Sequence, residues 1–124
     1  MNSMRNEKVN LAEKFSHIHE YYKPHIAGEV NDFAVKLSKL KGEFVWHQHD
    51  QEDELFLVVK GRLTMKLRDR TVEIDEGEFF IVPHGVEHCP VAEEEVHLML
   101  LERKHTLNTG NVRNERTVED LKRI

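Results

Sequence analysis

The chain has 124 residues, 39% of them apolar and 33% charged, with a formal net charge of −5; that is one domain with one core and a well-solvated surface. Its acidity excludes the basic footprint of a nucleic-acid binder and disfavours a polyanionic substrate. The single cysteine, Cys89, excludes an intrachain disulfide. With no apolar run of the roughly 18 residues a membrane span needs, and none resembling a signal peptide, the expected setting is cytoplasmic, with no membrane contact.

Residues 1–8 are polar and expected to fray. Asn10 can cap a short helix whose apolar face is Leu11, Phe15 and Ile18. From Ile26 the period changes to two. Residues 32–40 set Phe33, Val35 and Leu37 against Ala34, Lys36 and Ser38, the pattern of a half-buried strand. Beyond Gly42, Phe44 and Trp46 fall on one face, and Val45, His47 and His49 on the other. Residues 50–53 read as an acidic loop. Residues 54–60 are apolar on both faces, as expected where one face lines a barrel and the other packs outside. Residues 62–68 have one polar face, and Asp69-Arg70 turns the chain back toward Val72 and Ile74. A two-residue turn there needs positive φ at both positions, so Arg70 points to a longer loop or strain. Residues 78–82 form another two-faced apolar strand, followed by Pro83-His84-Gly85, a tight turn in which Gly85 can take positive φ. Cys89 is expected to be a buried, inert thiol. Residues 93–95 read as a solvated turn and residues 96–102 as the last strand. There His97, Met99 and Leu101 share one face and Leu98 and Leu100 the other. If the odd residues look inward, His97 lines the pocket. Thr117 can cap a second short helix running to Ile124, which at eight residues must dock on something to persist.

The chemistry concentrates in two stretches. Histidines two apart on a strand point to the same face, so His47 and His49 converge. Glu54, opening the next strand on the parity of Phe56 and Val58, would be costly to bury unpaired, and a cation beside it removes that cost. His88, carried back by the Pro-x-Gly turn, can complete a four-ligand site. Three imidazoles and one carboxylate suit divalent iron, manganese, nickel, zinc or copper.

These stretches resemble the two motifs of the cupins. The first runs Gly42, four residues, His47-x-His49, four residues, Glu54, six residues, Gly61. The second runs Gly77, five residues, Pro83-x-Gly85, two residues, His88, with Ala92 where the family usually has Asn. The tail, including Asn108-Thr109-Gly110, is similar to that of small stand-alone bacterial cupins. The resemblance implies an all-β double-stranded β-helix, or jelly-roll barrel, over residues 25–103. An N-terminal segment with a short helix (1–24) precedes it, and a C-terminal loop and short helix (104–124) follow. It implies His47, His49, Glu54 and His88 as ligands of one divalent transition metal (Fe, Mn, Ni or Zn), with positions left open for a small-molecule ligand. His97 and His84 are the candidate catalytic groups. Val45, Phe56, Val58 and Met99 are the expected walls of the pocket.

Cupins of this kind include dioxygenases, sugar isomerases and non-catalytic sensors. The core resembles mannose-6-phosphate isomerase-like cupins, whose genuine members are much longer. The expected function is therefore a small metalloenzyme, dioxygenase or isomerase-like, with metal-dependent ligand binding or sensing as the alternative. The resemblance also implies a homodimer, with Phe44, Trp46, Tyr21 and Tyr22 available to cover open edges.

Overall fold

The computed structural model describes residues 6–124, so the expected fraying of residues 1–5 lies outside the described residues. One short helix and eight strands follow in order: α1 (Leu11–Phe15), β1 (His25–Val30), β2 (Phe33–Glu43), β3 (Glu54–Lys60), β4 (Leu63–Leu67), β5 (Thr71–Ile74), β6 (Phe79–Val82), β7 (His88–Arg103) and β8 (Lys122–Arg123). The strands pair in the order β5-β4-β7-β2-β1-β8, with β3 joined to β7 and β6.

The barrel is organised on β7. Along one edge β7 pairs with β2, from Phe33↔Arg103 to Glu43↔Val91. Its other edge pairs first with β4 (Leu67↔His88) and then with β3 (Leu55↔Leu101). Residues 93–95 are not a turn between strands. They are an exposed irregularity inside the 16-residue β7, where the β2 register shifts between Leu40 and Gly42. Extra residues bend a strand without ending it, which lets β7 serve both sides of the barrel.

Side-chain alternation fills the interior. Phe56 and Val58 of β3, Leu63 and Met65 of β4, and Val96, Leu98 and Leu100 of β7 are buried in one cluster. β3 behaves as its sequence suggests, with Glu54, Phe56 and Val58 on the inner face. The parity of β2 differs from expectation. Ala34, Lys36, Ser38 and Leu40 are all buried, while Phe33 is exposed. Leu37 is buried on the opposite face, beneath α1. A strand covered on both faces at one end carries no clean alternation, and a lysine reads as outward unless a buried partner is known.

Asn10 caps α1 as expected, its side chain accepting from the backbone N–H of Glu13 at 3.0 Å. A helix of five residues has no stability of its own. Phe15 and Ile18 hold it by packing on Ala27 and Leu37. The expected C-terminal helix is absent. Lys122 and Arg123 pair in parallel with His25 and Ile26, and the Ile124 N–H donates to the Ile26 carbonyl at 3.0 Å. The free edge of β1 offers hydrogen bonds that so short a helix could not match. Thr117 instead shares a side-chain hydrogen bond with Thr109 and accepts from the Asn114 N–H. The Asp69-Arg70 turn is a loop of residues 68–70 closed by the Leu67 N–H on the Arg70 carbonyl. No residue in it has positive φ, whereas Gly85 does, at 79°.

Candidate metal centre

Two backbone devices bring the two motifs together. His47 and His88 face each other across an antiparallel bridge, His47 N–H donating to His88 C=O at 3.0 Å and the reverse bond at 2.9 Å. The Pro-x-Gly turn then donates the Gly85 N–H to the His49 carbonyl at 2.7 Å. A third clamp comes from the tail: Asn111 donates its N–H to the Gln48 carbonyl and accepts the Gln48 N–H on Oδ1, each at 3.0 Å. The carbonyls of His47, Gln48 and His49 are thus each held by a different segment. Gly110 makes the third clamp possible. Its φ is +57°, and a Cβ there would lie 2.2 Å from the Gln48 carbonyl oxygen.

His47, His49, Glu54 and His88 are buried together, with one ligand atom from each lying within 4.8 Å of all the others. The His47 ring centre is 4.2 Å from that of His88 and 5.1 Å from that of His49. The Nδ1 atoms of His47 and His88 lie 2.8 and 2.9 Å from the Val45 and Val86 carbonyls. A carbonyl only accepts, so Nδ1 carries the proton in both rings. In the neutral imidazole this leaves the Nε2 lone pair free to ligate. Burial, reinforced by the neighbouring His88, lowers the His47 pKa to about 4, so this ring is neutral at pH 7. Burial alone would raise the Glu54 pKa. The His49 and His88 imidazoles outweigh it and hold the carboxyl below the usual range.

The same atoms test whether an ion fits. His49 Nε2 and His88 Nε2 approach Glu54 Oε1 at 2.8 and 3.3 Å, yet all three atoms are buried without an aligned hydrogen bond. For His88 that approach sets two lone pairs against each other, because its proton is on Nδ1. Such an arrangement costs on the order of 1–3 kcal/mol per unsatisfied group unless a cation sits between the atoms. Three imidazoles and a carboxylate are a donor set for a first-row divalent metal. The residues fit the group.

A further row of buried charge stands behind Glu54. Leu55 pairs with Leu101, so Glu54 and Glu102 are neighbours on the inner face. Burial together with the Glu54 charge raises the Glu102 pKa well above the usual range. Lys36 Nζ lies 3.3 Å from Glu102 Oε2 and 3.2 Å from the Thr106 carbonyl. Sequence reasoning missed Lys36 and Glu102. The one available signal was their shared parity with residues of the barrel interior.

Lys36, Glu54 and His47 line a cavity of about 40 Å³, walled by Leu40, Phe44 and Phe56 among others. That is room for a few waters or a small organic group. Phe44 reaches it because β2 ends at Glu43, which frees the chain from strict alternation. It stacks on Tyr22 at 4.7 Å and meets His47 edge-on at 5.5 Å. Of the walls expected from sequence, Phe56 is present, whereas Val45 and Met99 do not line the cavity. Val58 is buried deeper in the core, and Met99 packs outside against the α1 cluster.

The two catalytic candidates lie elsewhere. His97 faces outward, because the even residues of this part of β7 take the interior. It stacks on Phe15 at 4.6 Å and bonds Glu95 at 2.8 Å. His84 is exposed on the turn, its ring and its N–H both bonded to Asp53. Cys89 is fully buried, and burial pushes its thiol pKa up to about 11. Tyr22 and Phe44 stack on each other at the cavity, and Trp46 lies under the Arg68 guanidinium. Among the described residues, no helix is long and apolar enough to cross a membrane.

The chain is similar to known proteins over most of its length. A cupin-2 domain containing protein from Shewanella frigidimarina NCIMB 400 shares 39% identity and a TM-score of 0.78, covering 82% of this chain and 100% of that one. Protein NMB1881 from Neisseria meningitidis shares 33% identity and a TM-score of 0.72, covering 79% and 100%. The uncharacterized protein YdbB of Bacillus subtilis (strain 168) is 32% identical over 80 residues, 64% of this chain and 71% of that one. Residues 36–102, from the buried lysine of β2 to the buried glutamate of β7, match the Cupin_2 family, described as a cupin domain. With both motifs, the jelly-roll barrel and the buried ligand cluster in place, the chain belongs to the cupin domain family.

Proposed function

We propose that this protein holds one divalent transition metal through His47, His49, His88 and Glu54, and works as a small metalloenzyme of the dioxygenase type. The observation that carries the reading is the set of three buried, unbonded atoms, His49 Nε2, His88 Nε2 and Glu54 Oε1, meeting inside an apolar barrel. A bound ion would supply Lewis acidity and, if iron, a route for electrons from the substrate to dioxygen. The protein's own residues supply the rest. Val45 and Val86 fix the tautomers of two ligands. Phe44, Phe56 and Leu40 exclude water from the reacting centre.

Cavity size favours the oxygenase over the sugar isomerase. A sugar phosphate needs several hydrogen-bonding walls and more space than about 40 Å³. The candidate phosphate-binding Arg62 is tied to Asp75 at the surface, and Lys66 lies half-exposed beside Glu43. The non-catalytic alternative rests on His97 and His84 lying away from the cavity, which leaves Lys36 and Glu102 as the proton-carrying side chains near the cluster. Oxygen uptake by the iron(II)-loaded protein, screened over small diketones, thiols and phenols, tests the reading. Substrate-dependent uptake lost in His88→Ala supports it. Saturable binding without turnover would establish the sensing role in its place, and aldose–ketose conversion would establish the isomerase.

A further inference from the structure

Four buried polar side chains of the cavity take no part in holding the metal. Lys36, Ser38 and Thr106 are 1%, 1% and 6% exposed, and Glu102 is 2% exposed. All four line the same cavity as His47 and Glu54. The ammonium of Lys36 has three N–H donors. Glu102 Oε2 and the Thr106 carbonyl take two of them. Ser38 Oγ and Thr106 Oγ1 are buried hydroxyls without a hydrogen-bond partner. Unsatisfied buried donors beside a cavity mark where a ligand's acceptor belongs.

We propose that this end of the cavity binds a small organic monocarboxylate, with Lys36, Ser38 and Thr106 as its donors. The assignment rests on the metal reading above and deepens it by naming the class of ligand. Charge supports it. Lys36 sets a buried ammonium at this end of the cavity, and a divalent ion on His47, His49, Glu54 and His88 would add positive charge beside it. Buried positive charge is costly, and a monoanion lowers the cost. Shape supports it as well. The remaining walls, Leu40, Phe44, Phe56 and Leu98, are apolar. They suit a short hydrocarbon body better than a hydroxide, a chloride or a phosphate.

The test uses the full chain loaded with cobalt(II), whose visible absorption responds to what enters the site, titrated with propionate, its neutral isostere propionamide, and chloride. Propionate should bind about 10- to 100-fold more tightly than propionamide, the range that one hydrogen bond to a charged group supplies. It should also outcompete chloride. Lys36→Met alone leaves the Glu102 carboxyl buried without its Lys36 partner, so the decisive variant is Lys36→Met with Glu102→Gln, which removes the ammonium and the carboxyl together. It should still take up cobalt and should lose the preference for propionate. Equal affinity for acid and amide in the wild type, or a preference unchanged in the double variant, would overturn the assignment while leaving the metal site standing. If the double variant does not fold, the wild-type comparison decides. No cobalt uptake would overturn the metal reading, and with it the charge argument for a monoanion.

Discussion

Gly110→Ala should damage the metal centre from the far end of the chain. Gly110 sits at φ +57°, a conformation that costs an L residue about 1 kcal/mol. The larger effect is steric. The new Cβ would stand 2.2 Å from the Gln48 carbonyl oxygen, 2.9 Å from its carbon and 3.1 Å from His47 Cδ2. Ordinary carbon–oxygen contacts lie beyond about 3 Å, so the 107–112 turn and the His47–His49 backbone must part by on the order of 1 Å. Parting them breaks the two Asn111 bonds to Gln48, at about 1 kcal/mol each. The total is about 3 kcal/mol, or on the order of 10 °C in melting temperature for a domain of this size. Gly85→Ala is the control, since its φ is +79° but its Cβ would meet nothing within 4 Å; it should lose only about 1 kcal/mol. Thermal melts with and without chelator, together with metal titration, measure both effects. Gly110→Ala should also bind metal about tenfold or more weakly, because two ligands flank the displaced carbonyl. Equal melting and equal metal affinity in the two alanine variants would refute the clamp.

Three other outcomes are expected. Without metal, the protein should lose stability as pH falls from about 6.5 to about 4, because the folded pKa of His47 lies near 4, below its unfolded value of 6.5. The neutral ring favours the fold above that window, so on the order of 3 kcal/mol goes as protons bind the unfolded chain; flat urea stability from pH 7 to pH 4 would contradict this. Phe79 and Ile81 of β6 are 61% and 48% exposed on the outer sheet face, apolar surface that we propose a second copy of the chain covers. Light scattering should give a dimer at micromolar concentration and a monomer for Phe79→Arg with Ile81→Arg, whereas a monomeric wild type would sink the proposal. His97→Ala should cost about 1 kcal/mol of stability through the lost stacking on Phe15 and leave metal stoichiometry unchanged; loss of metal in this variant would return His97 to the site.

Legibility in the sequence followed how local each determinant is. The ligand set was readable because the His-x-His spacing sets His47 and His49 on one side and a turn returns His88; the pair lies beyond the end of β2, on an isolated bridge and not on a strand, but these relations still span a few residues each. The Asn10 cap and the two-faced β3 were readable for the same reason. Lys36 and Glu102 were not, since each reads as a surface charge and only the pairing of β2 with β7 brings them together inside the barrel. The parity of β7 failed similarly. Its odd face is apolar at Met99 and Leu101, and only the docking of α1, whose Phe15 stacks on His97, shows that His97 belongs outside. The C-terminal helix failed because a weak local preference competed with the open edge of β1, which no local pattern reveals.

The most direct measurement is elemental analysis of untagged, freshly purified protein beside His49→Ala. His49 Nε2 approaches Glu54 Oε1 at 2.8 Å without an aligned hydrogen bond, so its removal takes one donor from the centre without touching the His47–His88 bridge. The wild type should hold about one equivalent of a first-row transition metal, and the variant should lose it. No metal in either protein after reconstitution with iron, manganese, nickel or zinc would rule out a metal centre at these four residues, as would equal metal in both.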